Sequence, residues 1–365
     1  MITVFSTPMN YVQGPGALQE LPKYMKHFGK KGLIIGSSSA LSQWGDDLKK
    51  ALSDKELIIE DFGGKESSKV QIQRLVDLGN QEKIDFVVGF GGGKPQDVAK
   101  GVCFKMDYIP IAIIPTIAAS DAPTPAVSVI YKEDGSFDEY WLYDKHVDLI
   151  LIDTKMIALA PARYLVAGMG DALATKFEGE ACIASGKPAV TGAYVTETAK
   201  AIYELCYDLL LEYGATAKES VENQVVTPAL EKIVEVNTLL SGLGCENNGV
   251  AAAHAIHDGF TVLEEVHHLL HGEKVAFCTV AHLVLEGRSP VLINEVIEFC
   301  YDVGLPITLE EMGVTEGIPE KIRKVSESVS EWIGNHPFEV TTDKVYSSII
   351  MADSMGKKYK SKLNR

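Results

Sequence analysis

The fold of this chain is decided by one stretch, FVVGFGGGKPQDVAK (residues 86–100). Its first six residues form an apolar run, which predicts a buried strand, and a helix is predicted after it with Pro95 in the first turn. Gly91, Gly92 and Gly93 fall between the two elements, where backbone N–H groups can approach a phosphate. A tight turn without a ligand is the alternative, but the strand–glycine–helix order favours a phosphate loop. The stretch matches neither a Walker loop nor a strict GxGxxG motif.

On both sides of this stretch, short runs rich in β-branched residues alternate with amphipathic segments. Several of these runs are continuously apolar, which is typical of parallel strands that helices cover on both faces. The alternation predicts a doubly wound, mainly parallel α/β domain that binds a nucleotide. Strands are predicted over 32–37, 56–62, 84–91, 109–116 and 147–153, helices over 41–52, 69–81 and 95–105, and a hairpin over 126–132 and 137–143.

From Pro161 onward the sequence changes character. Strand-like runs stop, and long segments rich in Ala, Leu and Glu follow, with Pro and Gly at their joints. This pattern indicates an all-helical C-terminal domain. We therefore expect two domains, over 1–160 and 161–365, which suits a chain of this length.

The composition disfavours several kinds of partner. A net charge of −16 over 365 residues argues against nucleic acid and against an anionic membrane. Only five arginines occur, which disfavours a site for a phosphorylated substrate. The six cysteines are widely spaced, which indicates buried apolar packing rather than metal or disulfide pairs. Because no signal peptide is visible, a cytoplasmic location is expected.

A second informative stretch, Val250–Ala276, holds five of the nine histidines. They are His254, His257, His267, His268 and His271. Spacing alone does not choose among them, and a satisfied core histidine is the alternative for each. Asp171, at the start of a predicted helix, offers either a carboxylate ligand or a helix cap. Two imidazoles and one carboxylate would hold a divalent metal and leave a coordination position open for chemistry.

The segment after the fourth predicted strand, PTIAASDAPTPAVSVIY (115–131), is a second candidate loop. It would leave the sheet at the carboxyl end, where α/β folds bind ligands. Thr116, Ser120 and Asp121 are polar residues in surroundings that are otherwise small and apolar. Asp121 is therefore a candidate for contacting a ligand, with a turn or capping carboxylate as the alternative.

Five segments, in this order, are together similar to the motifs of one family: GGGKPQDVAK, PTIAASDAP, GDALATKFE, AAAHAIHDGFT and HGEKVA. The first resembles a GGGK-x-x-D-x-AK phosphate loop, the second a cofactor and substrate loop, and the others three metal-bearing segments. On these motifs the chain resembles, over nearly its whole length, the zinc-using glycerol dehydrogenases of the iron-containing alcohol dehydrogenase superfamily. The resemblance implies a dehydroquinate synthase-like architecture, in which an α/β dinucleotide-binding domain precedes a helical metal-binding domain.

The same resemblance assigns roles to individual residues. It implies that Asp171, His254 and His271 hold zinc and that Asp121 binds a hydroxyl of the substrate. The residues implied for the cofactor are Ser37, Gly92, Gly93, Lys94, Asp97, Thr116, Val127 and Tyr131.

The chain differs from the iron-binding members of the superfamily at Thr175, and it departs from the glycerol dehydrogenase pattern at Ser37, Ala119 and Pro125. Thr175 replaces the further histidine of iron-binding members, and three ligands with an open position suit catalytic zinc. Ser37 replaces an acidic residue expected to bind the adenosine ribose, so NAD is expected with NADP not excluded. Ala119 replaces a hydroxyl residue, and Pro125 replaces a serine and has no N–H to donate.

The resemblance implies an oxidoreductase that moves a hydride between the secondary alcohol of a small polyol and a nicotinamide cofactor, with zinc as Lewis acid. Glycerol to dihydroxyacetone is the preferred reaction, and a homo-oligomer is expected. A dehydrogenase of another diol, a hydroxycarboxylate or glycerol 1-phosphate is the nearest alternative. A dehydroquinate synthase-like lyase, or a binding protein with a vestigial cofactor site, is a more distant one. An acidic second loop and scarce arginine disfavour the anionic substrates.

Overall fold

The structure is a computed structural model that describes residues 2–363. Within that range the chain forms two compact units, each discontinuous in sequence. One unit, called here the α/β unit, comprises Thr7–Pro161 and Ser220–Gly242. The other, called the helical unit, comprises the residues up to Ser6, Ala162–Glu219 and the residues from Leu243 on.

A six-stranded sheet forms the centre of the α/β unit, and all its neighbouring strands are parallel. The strand order is β1-β8-β5-β4-β2-β3, and β6 and β7 form a separate antiparallel hairpin. The strands are β1 (Tyr11–Gly14), β2 (Lys31–Gly36), β3 (Glu56–Asp61), β4 (Phe86–Gly91), β5 (Ile111–Pro115), β6 (Val127–Tyr131), β7 (Phe137–Leu142) and β8 (Leu149–Asp153). The predicted doubly wound sheet is therefore confirmed, and β1 is a strand that the sequence pattern did not predict.

Helices account for most of the remaining chain. They are α1 (Leu21–Tyr24), α2 (Ser38–Ala51), α3 (Lys69–Glu82), α4 (Gly93–Lys105), α5 (Thr154–Ala158), α6 (Ala162–Ser185), α7 (Glu197–Glu222), α8 (Pro228–Glu235), α9 (Ser241–Asn248), α10 (Ala252–Phe260), α11 (His271–Leu285), α12 (Pro290–Val303), α13 (Ile318–Glu327) and α14 (Thr342–Leu363). Short 3₁₀ turns lie at Ala17–Glu20, Glu264–Val266 and Glu331–Gly334, and a π-helical stretch at Val236–Leu240. None of the helices within residues 2–363 is long and apolar enough to cross a bilayer.

The sheet reverses its winding between β2 and β4. After β2 the chain moves outward to β3, whereas after β4 it moves the other way to β5. The carboxyl ends of the two strands are joined where Ser37 N–H donates to Phe90 O at 3.0 Å. Such a reversal opens a crevice at the strand ends, which is where doubly wound folds bind their ligands.

Candidate active site

Three potential metal ligands meet in the helical unit around one oxygen of Asp171. Asp171 is buried on α6, and its Oδ1 lies 3.1 Å from His271 Nε2 and 3.4 Å from His254 Nε2. One ligand atom from each of the three residues falls within 4.8 Å of the others. Burial alone would raise the pKa of Asp171, but the charges of the two imidazoles outweigh it and hold that pKa well below its usual range. The side chain is therefore an anion that faces two nitrogen donors.

Two glycines allow α6 and α11 to approach closely enough for this meeting. A Cβ added to Gly272 would lie 1.8 Å from Ala167 O, and one added to Gly170 would lie 2.3 Å from Gly272 O. Since both obstacles are backbone atoms, they could yield only by separating the helices. The neighbours of these glycines in sequence are the site residues His271 and Asp171. The small residues thus set the distance between the carboxylate and its imidazole.

Glu178 fixes the orientation of His254, and sequence reasoning did not find it. His254 Nδ1 lies 2.6 Å from Glu178 Oε2, which leaves Nε2 to face Asp171. The other oxygen, Oε1, accepts from the N–H groups of Ala251 at 2.8 Å and His254 at 2.9 Å, at the first turn of α10. Glu178 follows Asp171 by seven residues on α6, so both lie on one helix face. The seven-residue spacing from Asp171 was the signal in the sequence that could have identified Glu178.

His257 orients the imidazole of His271, as Glu178 orients that of His254. His257 Nε2 lies 3.1 Å from His271 Nδ1, and its own Nδ1 lies 3.2 Å from Asp258 Oδ1. Burial, together with the charge of His271, lowers the pKa of His257 to about 3. A neutral ring can accept from one neighbour and donate to the other. His257 therefore orients His271 and does not face Asp171.

The two remaining histidines of the stretch contact backbone carbonyls. His267 Nε2 lies 2.9 Å from Thr261 O, and His268 Nδ1 lies 2.8 Å from Glu265 O. Of the five histidines in this stretch, His254 and His271 are the pair whose ligand atoms lie close to Asp171.

Replacing Glu178 by glutamine is expected to weaken metal binding about 10–100-fold, the usual cost of losing an outer carboxylate. Glutamine keeps the size of the side chain but removes the charge that aligns His254. For the zinc that the family resemblance implies, the measurement is the free Zn²⁺ concentration that half-restores activity to chelated protein. Glu204→Gln is the matched control, since Glu204 pairs only with Lys176 among the ion pairs of the described residues and is half-exposed. Equal midpoints for both variants would contradict the orienting role.

The glycine loop of the α/β unit has the form expected of a phosphate cradle. Gly91 adopts φ +127°, and a Cβ there would lie 2.5 Å from Ser37 Oγ, so only glycine fits. Gly92 occupies the N-cap of α4 and brings no side chain to it. Thr116 N–H donates to Gly91 O at 3.3 Å and ties the end of β5 to the loop. The N-terminus of α4, which is the positive end of the helix dipole, is therefore lined by the backbone groups of these glycines.

The second predicted loop lies against the first. A Cβ at Gly93 would be 3.6 Å from Ala122 Cβ, and one at Gly92 would be 3.2 Å from Ile117 Cδ1. Asp121, adjacent to Ala122, is half-exposed there, and its backbone carbonyl accepts from Thr124 N–H at 3.0 Å. The sheet therefore brings Asp121 beside the glycine loop.

The polar side chains of the phosphate motif have different surroundings. Lys94 is half-exposed, and its Nζ lies 2.6 Å from Glu66 Oε1. Asp97 is buried, and its Oδ2 accepts from Val129 N–H at 3.4 Å. Burial raises the pKa of Asp97 to about 7. On β6, Tyr131 N–H donates to Ser67 O at 3.0 Å, so the strand is held from both sides.

Lys100 ties the second loop to α4 and was not singled out from sequence. Its buried ammonium donates to the carbonyls of Ala122 at 2.5 Å, Pro125 at 2.8 Å and Val127 at 3.0 Å. One cation thereby satisfies three carbonyls along a segment that contains Pro123 and Pro125. The loop that carries Asp121 depends on it.

Lys100→Met is expected to lower the free energy of unfolding by about 3 kcal/mol, because several buried carbonyls lose their donor. We also expect the nicotinamide cofactor that the family resemblance implies to bind about tenfold more weakly, since the loop beside the glycines loosens. Denaturant unfolding and NAD⁺ titration measure the two effects. Lys105→Met, at the exposed end of the same helix, is the control and should change stability by less than about 1 kcal/mol. If both variants were equally stable, the proposed role of Lys100 in holding the loop against α4 would be contradicted.

Ser37 and Asp61 lie at the ends of neighbouring strands. Ser37 Oγ accepts from Ala40 N–H and so caps α2. Asp61 ends β3, which pairs with β2 in a register that sets Gly36 opposite Asp61. Ser38 Oγ donates to Asp61 Oδ1 at 2.7 Å. The exposed carboxylate of Asp61 therefore lies beside Ser37, the position at which the family resemblance implies an acidic residue.

Known proteins resemble this chain over its full length. The sequence profile described as "Iron-containing alcohol dehydrogenase" matches residues 8–154. A glycerol dehydrogenase of Thermotoga maritima is 46% identical over 99% of this chain and 100% of its own length. The chain belongs to the glycerol dehydrogenase family of iron-containing alcohol dehydrogenases.

Two further comparisons place it within that family. A glycolaldehyde reductase of Halobacterium salinarum is 40% identical over 99% of this chain and 100% of its own. The crystal structure of a glycerol dehydrogenase from Schizosaccharomyces pombe superposes with a TM-score of 0.94 at 35% identity, covering 100% of this chain and 93% of that one. The family and fold inferred from the motifs are therefore confirmed, and this glycerol dehydrogenase family member is an alcohol dehydrogenase.

Proposed function

We propose that the chain oxidises the secondary alcohol of a small polyol, with glycerol to dihydroxyacetone as the preferred reaction, and reduces NAD⁺. The proposal includes one zinc ion held by Asp171, His254 and His271. The observation that carries it is the convergence of two oriented imidazoles on one buried carboxylate oxygen, at 3.1 and 3.4 Å. Relatives named glycerol dehydrogenase at 42–46% identity support the choice of polyol.

The three side chains suit a divalent metal. Zinc bonds of about 2.0–2.1 Å to nitrogen and oxygen give tetrahedral edges of about 3.3–3.4 Å between ligand atoms. The two distances to Asp171 Oδ1 are close to that edge. Thr175 stands one turn after Asp171 on α6, so no fourth imidazole is supplied there. When bound, such a cation would stabilise the negative charge that develops on the alcohol oxygen as the hydride leaves.

The residues of the chain would bind and orient the reactants. Glu178 and His257 keep the Nε2 atoms of His254 and His271 directed at the metal position. Asp121 would accept a hydrogen bond from a second hydroxyl of the substrate. This contact would orient the substrate and so decide which carbon transfers its hydride to the nicotinamide. The loop that carries Asp121 has no Lys or Arg between residues 116 and 126, so a neutral polyol suits it better than a carboxylate or phosphate.

The glycine loop would hold the pyrophosphate of the cofactor. The reversal of the sheet between β2 and β4 and the glycine N-cap of α4 support this placement. Thr116, Asp97 and the strand with Val127 and Tyr131 would line the same end of the sheet. We propose NAD⁺ rather than NADP⁺, because the exposed carboxylate of Asp61 beside β2 would repel a 2′-phosphate.

Asp61→Ser is expected to raise the kcat/KM ratio for NADP⁺ over NAD⁺ about 10–100-fold, the effect of removing one repulsive charge. In the wild-type protein, Ser38 Oγ and Gly63 N–H both donate to the Asp61 carboxylate and hold it at the end of β3. Steady-state kinetics with both cofactors measures the ratio. Asp46→Ser, a fully exposed acid on α2, serves as control. A ratio that stays within threefold of the wild-type value would assign cofactor choice elsewhere.

One panel of assays tests the proposed reaction. Purified protein with bound Zn²⁺ is given glycerol, other vicinal diols, glycolaldehyde, hydroxycarboxylates and glycerol 1-phosphate, each with NAD⁺/NADH and NADP⁺/NADPH. We expect the highest kcat/KM for glycerol or a related diol with NAD⁺. Preference for an anionic substrate would overturn the polyol assignment, and absence of net NADH formation would favour the lyase or the vestigial site. The homo-oligomer that the family resemblance implies remains a prediction. Sedimentation velocity would test it.

A further inference from the structure

A second group of metal-ligand side chains lies in the helical unit, apart from the residues discussed so far. It consists of His282, Glu286 and His336, whose ligand atoms lie within 4.8 Å of one another. His282 lies in the last turn of α11, Glu286 is the C-cap residue four positions later, and His336 follows the 3₁₀ turn at Glu331–Gly334. Both imidazoles are fully buried as side chains, and Glu286 is 8% exposed. The group joins the end of one helix to a loop fifty residues later.

Its distances match those around Asp171. Glu286 Oε1 lies 3.3 Å from His282 Nε2 and 3.2 Å from His336 Nδ1. Both values are near the tetrahedral edge of about 3.3–3.4 Å that zinc ligands share. As at Asp171, a single carboxylate oxygen faces one nitrogen from each of two imidazoles.

The hydrogen bonding of these histidines is incomplete. Within residues 2–363, both ring nitrogens of His282 and Nε2 of His336 lack a hydrogen-bond partner. The approach of His282 Nε2 to Glu286 is near but not aligned as a hydrogen bond. A buried nitrogen without a partner costs about 1–3 kcal/mol. A bound cation would accept the lone pair of His282 Nε2 and so give this buried nitrogen a partner.

The surrounding charges fix the carboxylate. Arg288 Nε lies 2.7 Å from Glu286 Oε2, which leaves Oε1 turned toward the imidazoles. Arg288 Nη2 also pairs with Glu180 at 2.6 Å, so its positive charge is already matched. Arg288 thus faces two carboxylates, and it holds Glu286 in place as an outer partner.

We infer that His282, Glu286 and His336 form a second binding site for a divalent transition cation of the Zn²⁺ class. Two imidazoles and one carboxylate are ligands that zinc accepts, and their burial distinguishes the site from adventitious surface histidines. The cation would tie the last turn of α11 to the segment after Gly334. The site is separate from the one proposed for catalysis, because it shares no ligand with it.

Metal counting tests this inference. Full-length protein is equilibrated with buffered Zn²⁺ and passed through a desalting column, and zinc per chain is then measured by plasma mass spectrometry. We expect two zinc ions per chain for wild type, one for His336→Gln and two for His27→Gln, an exposed histidine of the α/β unit. A wild-type count of one overturns the inference, as does a count of two in His336→Gln.

A second variant covers the case in which His336→Gln does not fold. Glu286→Gln retains the bond from Arg288 through its amide oxygen and is also expected to hold one zinc. A count of two in that variant would overturn the inference. Asp171→Asn separates this site from the catalytic proposal, because it should keep the second zinc and lose the first. An unchanged count there would contradict the proposed catalytic site and leave the His336 comparison decisive for the second.

Discussion

Asp171→Asn is expected to lower kcat/KM for glycerol by about a thousandfold or more. The amide keeps the shape of the side chain but removes the anion that His254 and His271 face at 3.4 and 3.1 Å. A loss of about 4 kcal/mol of transition-state stabilisation corresponds to that factor, which is of the size a bound Lewis acid supplies. Steady-state kinetics at saturating NAD⁺, together with zinc content, measures the effect.

The loss should be confined to the metal-dependent step. Because Asp171 lies in the helical unit and the glycine loop in the α/β unit, NAD⁺ affinity measured by fluorescence titration should stay within about threefold. Asp208→Asn, an exposed acid on α7, is the matched control and should leave kinetics and zinc content at wild-type values. Wild-type activity in the Asp171 variant would remove the proposed metal site from the reaction.

Gly272→Ala is expected to destabilise the protein by at least about 3–5 kcal/mol and to reduce zinc content. The added Cβ would lie 1.8 Å from Ala167 O and 2.9 Å from Asp171 N, so α11 must move away from α6. His271 precedes this glycine and would move with it, which separates the imidazole from Asp171. One methyl group is thus expected to damage packing and site together.

Urea unfolding followed by circular dichroism, with zinc measured on the folded fraction, tests this expectation. Gly45→Ala is a stringent control, because it makes the same change inside a helix, where the new Cβ would be 3.9 Å from its nearest neighbour, Leu41 Cβ. That variant should be neutral or up to about 1 kcal/mol more stable, since alanine favours helix. Equal stabilities of the two variants would contradict the close-packing argument.

The α/β unit was predictable because its strands are long, apolar and regularly spaced. Strands buried on both faces, such as β4 and β5, have a composition that no amphipathic helix shares. β1 was missed because its four residues, YVQG, are all half-buried and contain no apolar run. Its pairing with β8 is decided by tertiary contacts that a local pattern does not record.

The candidate site was less predictable from residues alone. Spacing left five histidines equivalent, and motif resemblance was needed to choose His254 and His271. Their meeting with Asp171 depends on the approach of α6 to α11, which a sequence pattern does not measure. Glu178 had a readable signal in its seven-residue spacing from Asp171. The group around Glu286 was not predicted, because His336 joins His282 and Glu286 from another segment.

Whether the metal held by Asp171, His254 and His271 is needed for the reaction is tested by glycerol-dependent NADH formation in one protein sample before chelation, after chelation and after Zn²⁺ is restored. We expect activity to be lost with the metal and to return on adding Zn²⁺ to wild type but not to Asp171→Asn. A chelated, zinc-free wild type that oxidises glycerol at the original rate would contradict this expectation, and so would full recovery in the Asp171 variant.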